Sequence, residues 1–237
     1  MKNTNQTNLN LGLIITFLSL LWVIESAKHI FNLSLSPLGV NPGELSGLIG
    51  VIFSPLIHSS WEHLAVNSAS VLVLGAALNY GYPKSRYLTL VIIWIVSGVG
   101  VWIFGRESYH IGASGLTHGV FYFLFFAAVF RRDKRSIALM FIAVFMHGSM
   151  MLGVLPWDPS ISFESHLFGG IGGVISAFLF RNIDPKPLRK VYDWELEESE
   201  PEFYEPGEYA ADEEALKEPV VDIIELEEKD SKFKNIH

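Results

Sequence analysis

The sequence has no cysteine, which excludes disulfides, thiolate nucleophiles and cysteine-held metals or clusters. It has no H-E-x-x-H; "EHLAVN" carries glutamate and histidine in the wrong order for a helix-borne zinc protease. The only aspartates before position 184 are Asp133 and Asp158, both in links between apolar runs, so an intramembrane aspartyl protease lacks its pair. Paired charges at mid-membrane, which a transporter with broken helices would carry, are missing. No basic patch supports a nucleic-acid partner. The apolar runs are continuous and do not alternate, which argues against an outer-membrane barrel.

What is present is apolar length. Half of the 237 residues are hydrophobic and the mean hydropathy is +0.33. Several runs approach the ~20 residues that cross a bilayer. An all-α membrane protein follows, a bundle of six transmembrane helices, because helices satisfy their own backbone in lipid. The expected spans are about 11–27, 61–80, 87–104, 112–130, 137–155 and 163–180. The polar start MKNTNQTNLN has no A-x-A site after it, so span 1 reads as retained and not as a signal peptide. The loop after span 1 holds Pro37, Pro42 and Pro55 with apolar stretches such as "LSGLIGVIF", and is expected in or on the membrane.

The net charge of −8 joins two unlike regions. Residues 1–183, the expected helical domain, carry +3; residues 184–237 carry −11. The acidic tail cannot bury a core and reads as disordered and solvated, with a docking segment for a partner as the second reading. Orientation follows from the basic residues of the short links. Ten of them (Lys84, Arg86, Arg131, Arg132, Lys134, Arg135, Arg181, Lys186, Arg189, Lys190) fall on one side, and Lys28 and Arg106 on the other. Both termini are therefore expected in the cytoplasm of a multi-pass protein of the cell membrane.

With this topology spans 2, 4 and 6 begin at the outer face. Span 2 opens "WEHLAVN" with His63 and Asn67, span 4 opens "GASG" with Ser114, and span 6 opens "ESHLFGG" with His166. Polar groups in hydrocarbon are costly and mark function or a buried partner. A serine becomes nucleophilic when a base takes its proton, and histidine titrates in the right range. Ser114 sits at a helix N-terminus, where free N–H groups and the dipole favour an oxyanion. His63 and Asn67, four apart, share a face and can point donors at one spot. Gly112 and Gly115 are expected to clear space for a substrate backbone. Gly169 and Gly173 follow His166 on its own face, a small-residue stripe that lets span 6 approach span 4.

"GASG", "HLAVN" (H-x-x-x-N) and "HLFGGIGG" (H-x-x-G-x-x-x-G), in this order over residues 54–181, resemble the rhomboid intramembrane serine proteases. His58, five residues before His63, matches a histidine common in that family. The resemblance implies a rhomboid-like bundle with a Ser114–His166 dyad and no third acid. It implies an oxyanion hole from the Ser114 N–H, His63 and Asn67. The loop after span 1 would sit sideways in the membrane, and span 5 with "VLPWDPSISF" would gate the site. Substrates would be single-span membrane proteins cut near the outer end of the span, within the lipid bilayer, with no metal and no cofactor. Two departures stand out. His118 occupies the place, four after the nucleophile, where many members have an aromatic that packs on the catalytic histidine. The first loop lacks a Trp-Arg pair seen in many bacterial members.

Other readings compete at single residues. Ser114 alone could bond a helix carbonyl, His63 and Asn67 could cap span 2, and His166 could be structural. His58 reads as a loop-ordering hydrogen bonder, His110 as a loop residue and His147 as a buried, satisfied histidine. Glu25 and Glu164 read as exposed carboxylates at headgroup level. A bis-histidine haem protein leaves Ser114 and the glycines without a role. A rhomboid-like pseudoprotease that binds membrane clients is the rival class, and its members typically lose the serine or the histidine.

Overall fold

A computed structural model of the chain describes residues 4–158 and 161–186, with side chains from Leu11 onward. The acidic tail expected from 184 falls outside the described residues from 187 on. Its first residue, Asp184, is buried instead, accepting hydrogen bonds from Lys84 N (2.7 Å) and Ser85 Oγ (2.5 Å).

Seven α-helices, α1 (Thr4–Ile30), α2 (Gly50–Phe53), α3 (Trp61–Gly81), α4 (Arg86–Phe104), α5 (Ser114–Arg131), α6 (Lys134–His147) and α7 (Phe163–Leu179), form the described unit. Among the described residues there is no strand beyond one bridge, Val40 to His110. Polar residues set the helix starts. Ser60 accepts from His63 N, Asp133 from Ser136 N and Ser162 from Ser165 N, each satisfying an orphan donor of the first turn. Burial pushes the Asp133 carboxyl up, but bonds from Ser136 and the Arg131 cation outweigh it and hold it below the usual range. α5 ends on Arg132, which takes the left-handed conformation at φ 53°.

Four helices, α1 over Leu11–Ile30, α3, α4 and α5, are long and apolar enough to cross a membrane. Helices of this length and apolarity mark an integral membrane protein. α7, apolar but with 17 residues, falls short by length, and α6 has only 14 residues. The expected fifth span, 137–155, differs most. The helix stops at His147, a 3-10 turn covers Gly148–Met151, and irregular chain follows. Gly and Ser at 148–149 are poor helix formers, and the freed Gly153 carbonyl is used elsewhere.

α5 is the central element, packed on α3, α4, α6 and α7. Phe121, Phe123 and Leu124 of α5 join Leu74 and Leu78 of α3 and Ile93 of α4 in the core. Outward-facing side chains such as Val23, Val66, Val91 and Phe145 remain large and exposed, as a lipid-facing surface requires. The segment Leu45–Leu56 winds through short 3-10 and α turns against α4. Trp94 and Trp102 Nε1 donate to Val51 O (2.9 Å) and Glu44 O (2.8 Å), tying it there.

Glycines set the α5–α7 distance. A Cβ on Gly169 would run into the Gly115 carbonyl, and one on Gly173 into the Gly119 carbonyl. Gly115 itself faces Ser97 and the Ser165 carbonyl, not open space. Its expected role, clearing room for substrate, is corrected: it is a packing glycine. A second correction concerns charge. Glu25 and Glu164 are buried, not exposed. Glu25 pairs with Lys28, and Glu164 accepts from Arg106. A buried carboxylate without a partnering cation would be strongly destabilising, and each of these has one beside it.

Candidate active site

The N-terminal ends of α3, α5 and α7 meet at one end of the bundle and line a cavity of about 450 Å³. Ser114, His166, His63, Asn67 and His118 all line it. Ser114 is the first residue of α5. Gly112 holds φ +112° just before it, a conformation L side chains rarely adopt, and so turns the chain into the helix.

Ser114 Oγ lies 2.9 Å from His166 Nε2. The other ring nitrogen, Nδ1, lies 2.8 Å from the Gly153 carbonyl. A carbonyl only accepts, so Nδ1 carries the hydrogen and the neutral ring offers its Nε2 lone pair to Ser114. The arrangement orients a base on a hydroxyl through a backbone oxygen, with no acid side chain behind the histidine. His118 stacks on His166 with centroids 3.7 Å apart and rings 7° from parallel. Its Nδ1 lies 2.8 Å from the Ser114 carbonyl, so it too has the hydrogen on Nδ1. A Cβ on Gly153 would sit 2.6 Å from His118 Nε2, so a larger residue there would press on the stack.

Two donors face the same side of Ser114. A Cβ built on Gly112 would stand 2.8 Å from His63 Nε2 and 3.7 Å from Asn67 Nδ2. Both nitrogens therefore converge on the space beside Gly112. Asn67 is buried and its Nδ2 has no hydrogen-bond partner among the described residues. A buried amide without a partner is costly, so this nitrogen is left able to donate to an acceptor that enters the cavity.

The remaining histidines fall in different places. His58 is buried, accepts a 3.5 Å bond from Ala113 N at Nε2, and meets His63 edge to face at 5.1 Å. Burial, then the neighbouring His63 and Lys28, lower its pKa to about 3, so the ring is neutral. His110 is more than a loop residue. It is buried, bridges to Val40, and its Nδ1 lies 2.6 Å from Ser162 Oγ, the cap of α7. His147 is half-buried at the end of α6, and its Nε2 has no partner among the described residues; it is not the satisfied core histidine expected. Among the described residues, no group of three or more His, Asp or Glu side chains could hold a metal.

Sequence reasoning missed Gly153 and Ser59. Ser59 Oγ lies 3.1 Å from His63 Nδ1, a contact that its i, i+4 spacing could have suggested. A backbone acceptor thirteen residues from His166 leaves no mark on the sequence.

Known proteins are similar in sequence to this chain. An uncharacterized protein of Mycobacterium tuberculosis is 34% identical over 175 residues, covering 70% of this chain and 73% of its own. One of Mycobacterium leprae is 32% identical over 176 residues, covering 70% and 69%. A Bacillus subtilis protein named "Putative rhomboid protease YdcA" is 29% identical over 190 residues, covering 73% and 92%. The family model described as the Rhomboid domain matches residues 45–183, a stretch that holds Ser114, His166, His63 and Asn67. The chain belongs to the rhomboid family.

Proposed function

We propose that the protein is an intramembrane serine endopeptidase in which Ser114 is the nucleophile and His166 the general base and acid. The observation that carries this reading is the 2.9 Å contact of Ser114 Oγ with His166 Nε2, the ring held from behind by Gly153 O. His166 takes the hydroxyl proton at Nε2 as Oγ attacks the scissile carbonyl carbon. The tetrahedral oxyanion then forms beside Gly112, where His63 Nε2–H, Asn67 Nδ2–H and the Ser114 N–H donate to it. His166 returns the proton to the leaving amine and the peptide C–N bond breaks. Water, deprotonated by the same nitrogen, attacks the acyl-serine and releases the new carboxyl end.

Six spans cross the bilayer in this reading. α7, at about 1.5 Å per residue, reaches about 26 Å and nearly matches a ~30 Å hydrocarbon core. The site then lies near the outer face of the cell membrane and both termini lie in the cytoplasm. Substrates are single-span membrane proteins cut near the outer end of their span, where the helix is easily opened. The helical domain includes Asp184, which accepts from Lys84 N and Ser85 Oγ.

Labelling of the purified protein with a fluorophosphonate serine probe tests the dyad. Wild type should label, and Ser114→Ala and His166→Ala should not. A folded wild type that neither labels nor cleaves a transmembrane substrate it binds would be a client-binding pseudoprotease, and the proposal would fail.

A further inference from the structure

The dyad and its donors leave a partly buried ion pair near the end of α1 without a role. Glu25 is 1% exposed, and its Oε1 lies 2.6 Å from Lys28 Nζ, one turn on. Such a pair is weak evidence for stability, since well-packed apolar side chains often replace it at no loss. Lys28 does more than neutralise Glu25. Its Nζ donates to His58 O at 2.6 Å and reaches Ser59 O at 3.5 Å. The ammonium thus joins one carboxylate by charge to two backbone carbonyls from a distant part of the chain by hydrogen bonds.

Those carbonyls belong to the turn that launches α3, and that turn sets His63 from several sides. Ser60 Oγ accepts from His63 N at 3.1 Å, fixing the start of the helix. Ser59 Oγ lies 3.1 Å from His63 Nδ1. When the hydroxyl donates there, the ring hydrogen stays on Nε2, the nitrogen that faces Gly112. His58 Nε2 accepts from Ala113 N, the residue before Ser114. One short turn therefore touches both the oxyanion side and the nucleophile side of the site.

We infer that Glu25 and Lys28 form a positioning clamp: Glu25 holds the Lys28 ammonium, and Lys28 holds the His58–Ser59 carbonyls so that His63 presents Nε2–H to the oxyanion. This rests on the peptidase reading above. The two are positioning residues, since neither lines the cavity. The clamp acts on the transition state and not on substrate binding, so it predicts a loss in kcat with KM unchanged.

The test uses the full-length protein and a fluorogenic single-span peptide with helix-breaking residues near its outer end. Lys28→Met should lower kcat about tenfold, because a displaced donor costs less than the ~10²–10³ of a deleted one. Lys28→Arg, which keeps a cation and several donors, should recover most of the rate. In a His63→Ala background Lys28→Met should add less than about twofold, because the donor it positions is already gone. Should Lys28→Met not fold, Glu25→Gln carries the same test: it keeps the side chain's shape but removes the charge that holds the ammonium, and its kcat loss should likewise vanish with His63→Ala. Wild-type kcat in Lys28→Met, or the same fold-loss with and without His63, overturns the clamp. Fluorophosphonate labelling separates the two ideas. Ser114-dependent labelling beside an unchanged kcat in Lys28→Met overturns the clamp alone. Wild-type cleavage that survives Ser114→Ala overturns the peptidase reading and the clamp with it.

Discussion

Gly169→Ala adds one methyl group to α7 where α5 passes closest. The new Cβ would meet the Gly115 carbonyl oxygen, with the carbonyl carbon at 2.8 Å and Cα at 3.2 Å. Carbon atoms rest at about 3.5–4.0 Å, so the helices must part by about 0.7–1.2 Å. Neither partner is a flexible side-chain end, so the backbones themselves have to move. Ser114 is next to Gly115 on one helix, and His166 is three residues before Gly169 on the other. Their 2.9 Å contact would open to about 3.6–4.1 Å, beyond hydrogen-bond reach. A displacement of about 1 Å at a reacting pair costs about 10²-fold in rate, and overpacking costs about 1–3 kcal/mol in stability. The assay is cleavage of the transmembrane peptide and fluorophosphonate labelling, each per folded molecule, beside a melting curve. Gly148→Ala is the control, since its Cβ would have only Val144 Cγ1, at 3.9 Å, as a neighbour; its stability should change by less than about 0.5 kcal/mol. A Gly169→Ala protein that labels and cleaves at the wild-type rate would refute the argument that glycine contact sets the dyad distance.

Three further outcomes are expected. His118→Phe keeps a ring on His166 and should keep labelling near wild type, whereas His118→Ala loses a stack worth about 0.5–1.5 kcal/mol and should label about two- to tenfold slower; equal rates for both would mean the ring does not steady the base. Arg131, buried at the opposite end of α5, bonds Asp133 (2.9 Å), Arg181 O (2.9 Å) and Asp184 O (3.1 Å), so Arg131→Met should lower stability by about 3 kcal/mol or more while labelling per folded molecule stays unchanged. A drop in specific labelling would show coupling along α5 that this geometry does not contain. His58 has a folded pKa of about 3 against an ordinary 6.5. Between these values the unfolded chain holds the proton and the folded one does not, so its contribution is complete above pH 6.5 and is lost as pH falls toward 3. His58→Gln should melt with a shallower dependence on pH over that window, and an unchanged slope would remove His58 as the cause.

Much of the helical layout could be read locally. The apolar runs at 61–80 and 87–104 correspond to α3 and α4 within a residue, because polar residues such as Ser60 and Ser85 stand at their ends. Span 4 was expected two residues too early, since hydropathy does not see that Gly112 turns outside the helix at positive φ. α6 misled for a similar reason. The chain stays apolar to Leu155, but the helix ends at His147, and apolar character alone does not distinguish a helix from a packed loop. The burial of Glu25, beside Lys28 one turn on, comes from packing that its spacing does not show, and Glu164 is buried because a cation from elsewhere reaches it. Arg106, far from Glu164 in sequence, does so.

By itself the sequence determined a membrane chain of apolar helices, the charge contrast between its two regions, and the order of "HLAVN", "GASG" and "HLFGGIGG" that marks the family. These are local properties, set by side-chain chemistry and by the 3.6-residue helical period. Tertiary structure alone decided that Gly153 O orients His166, that Gly115 faces Ser165 rather than the cavity, and that Lys28 reaches the carbonyls before α3. Each depends on how helices far apart in the chain pack. A backbone carbonyl or a glycine's missing methyl has the same chemistry everywhere until its neighbour arrives.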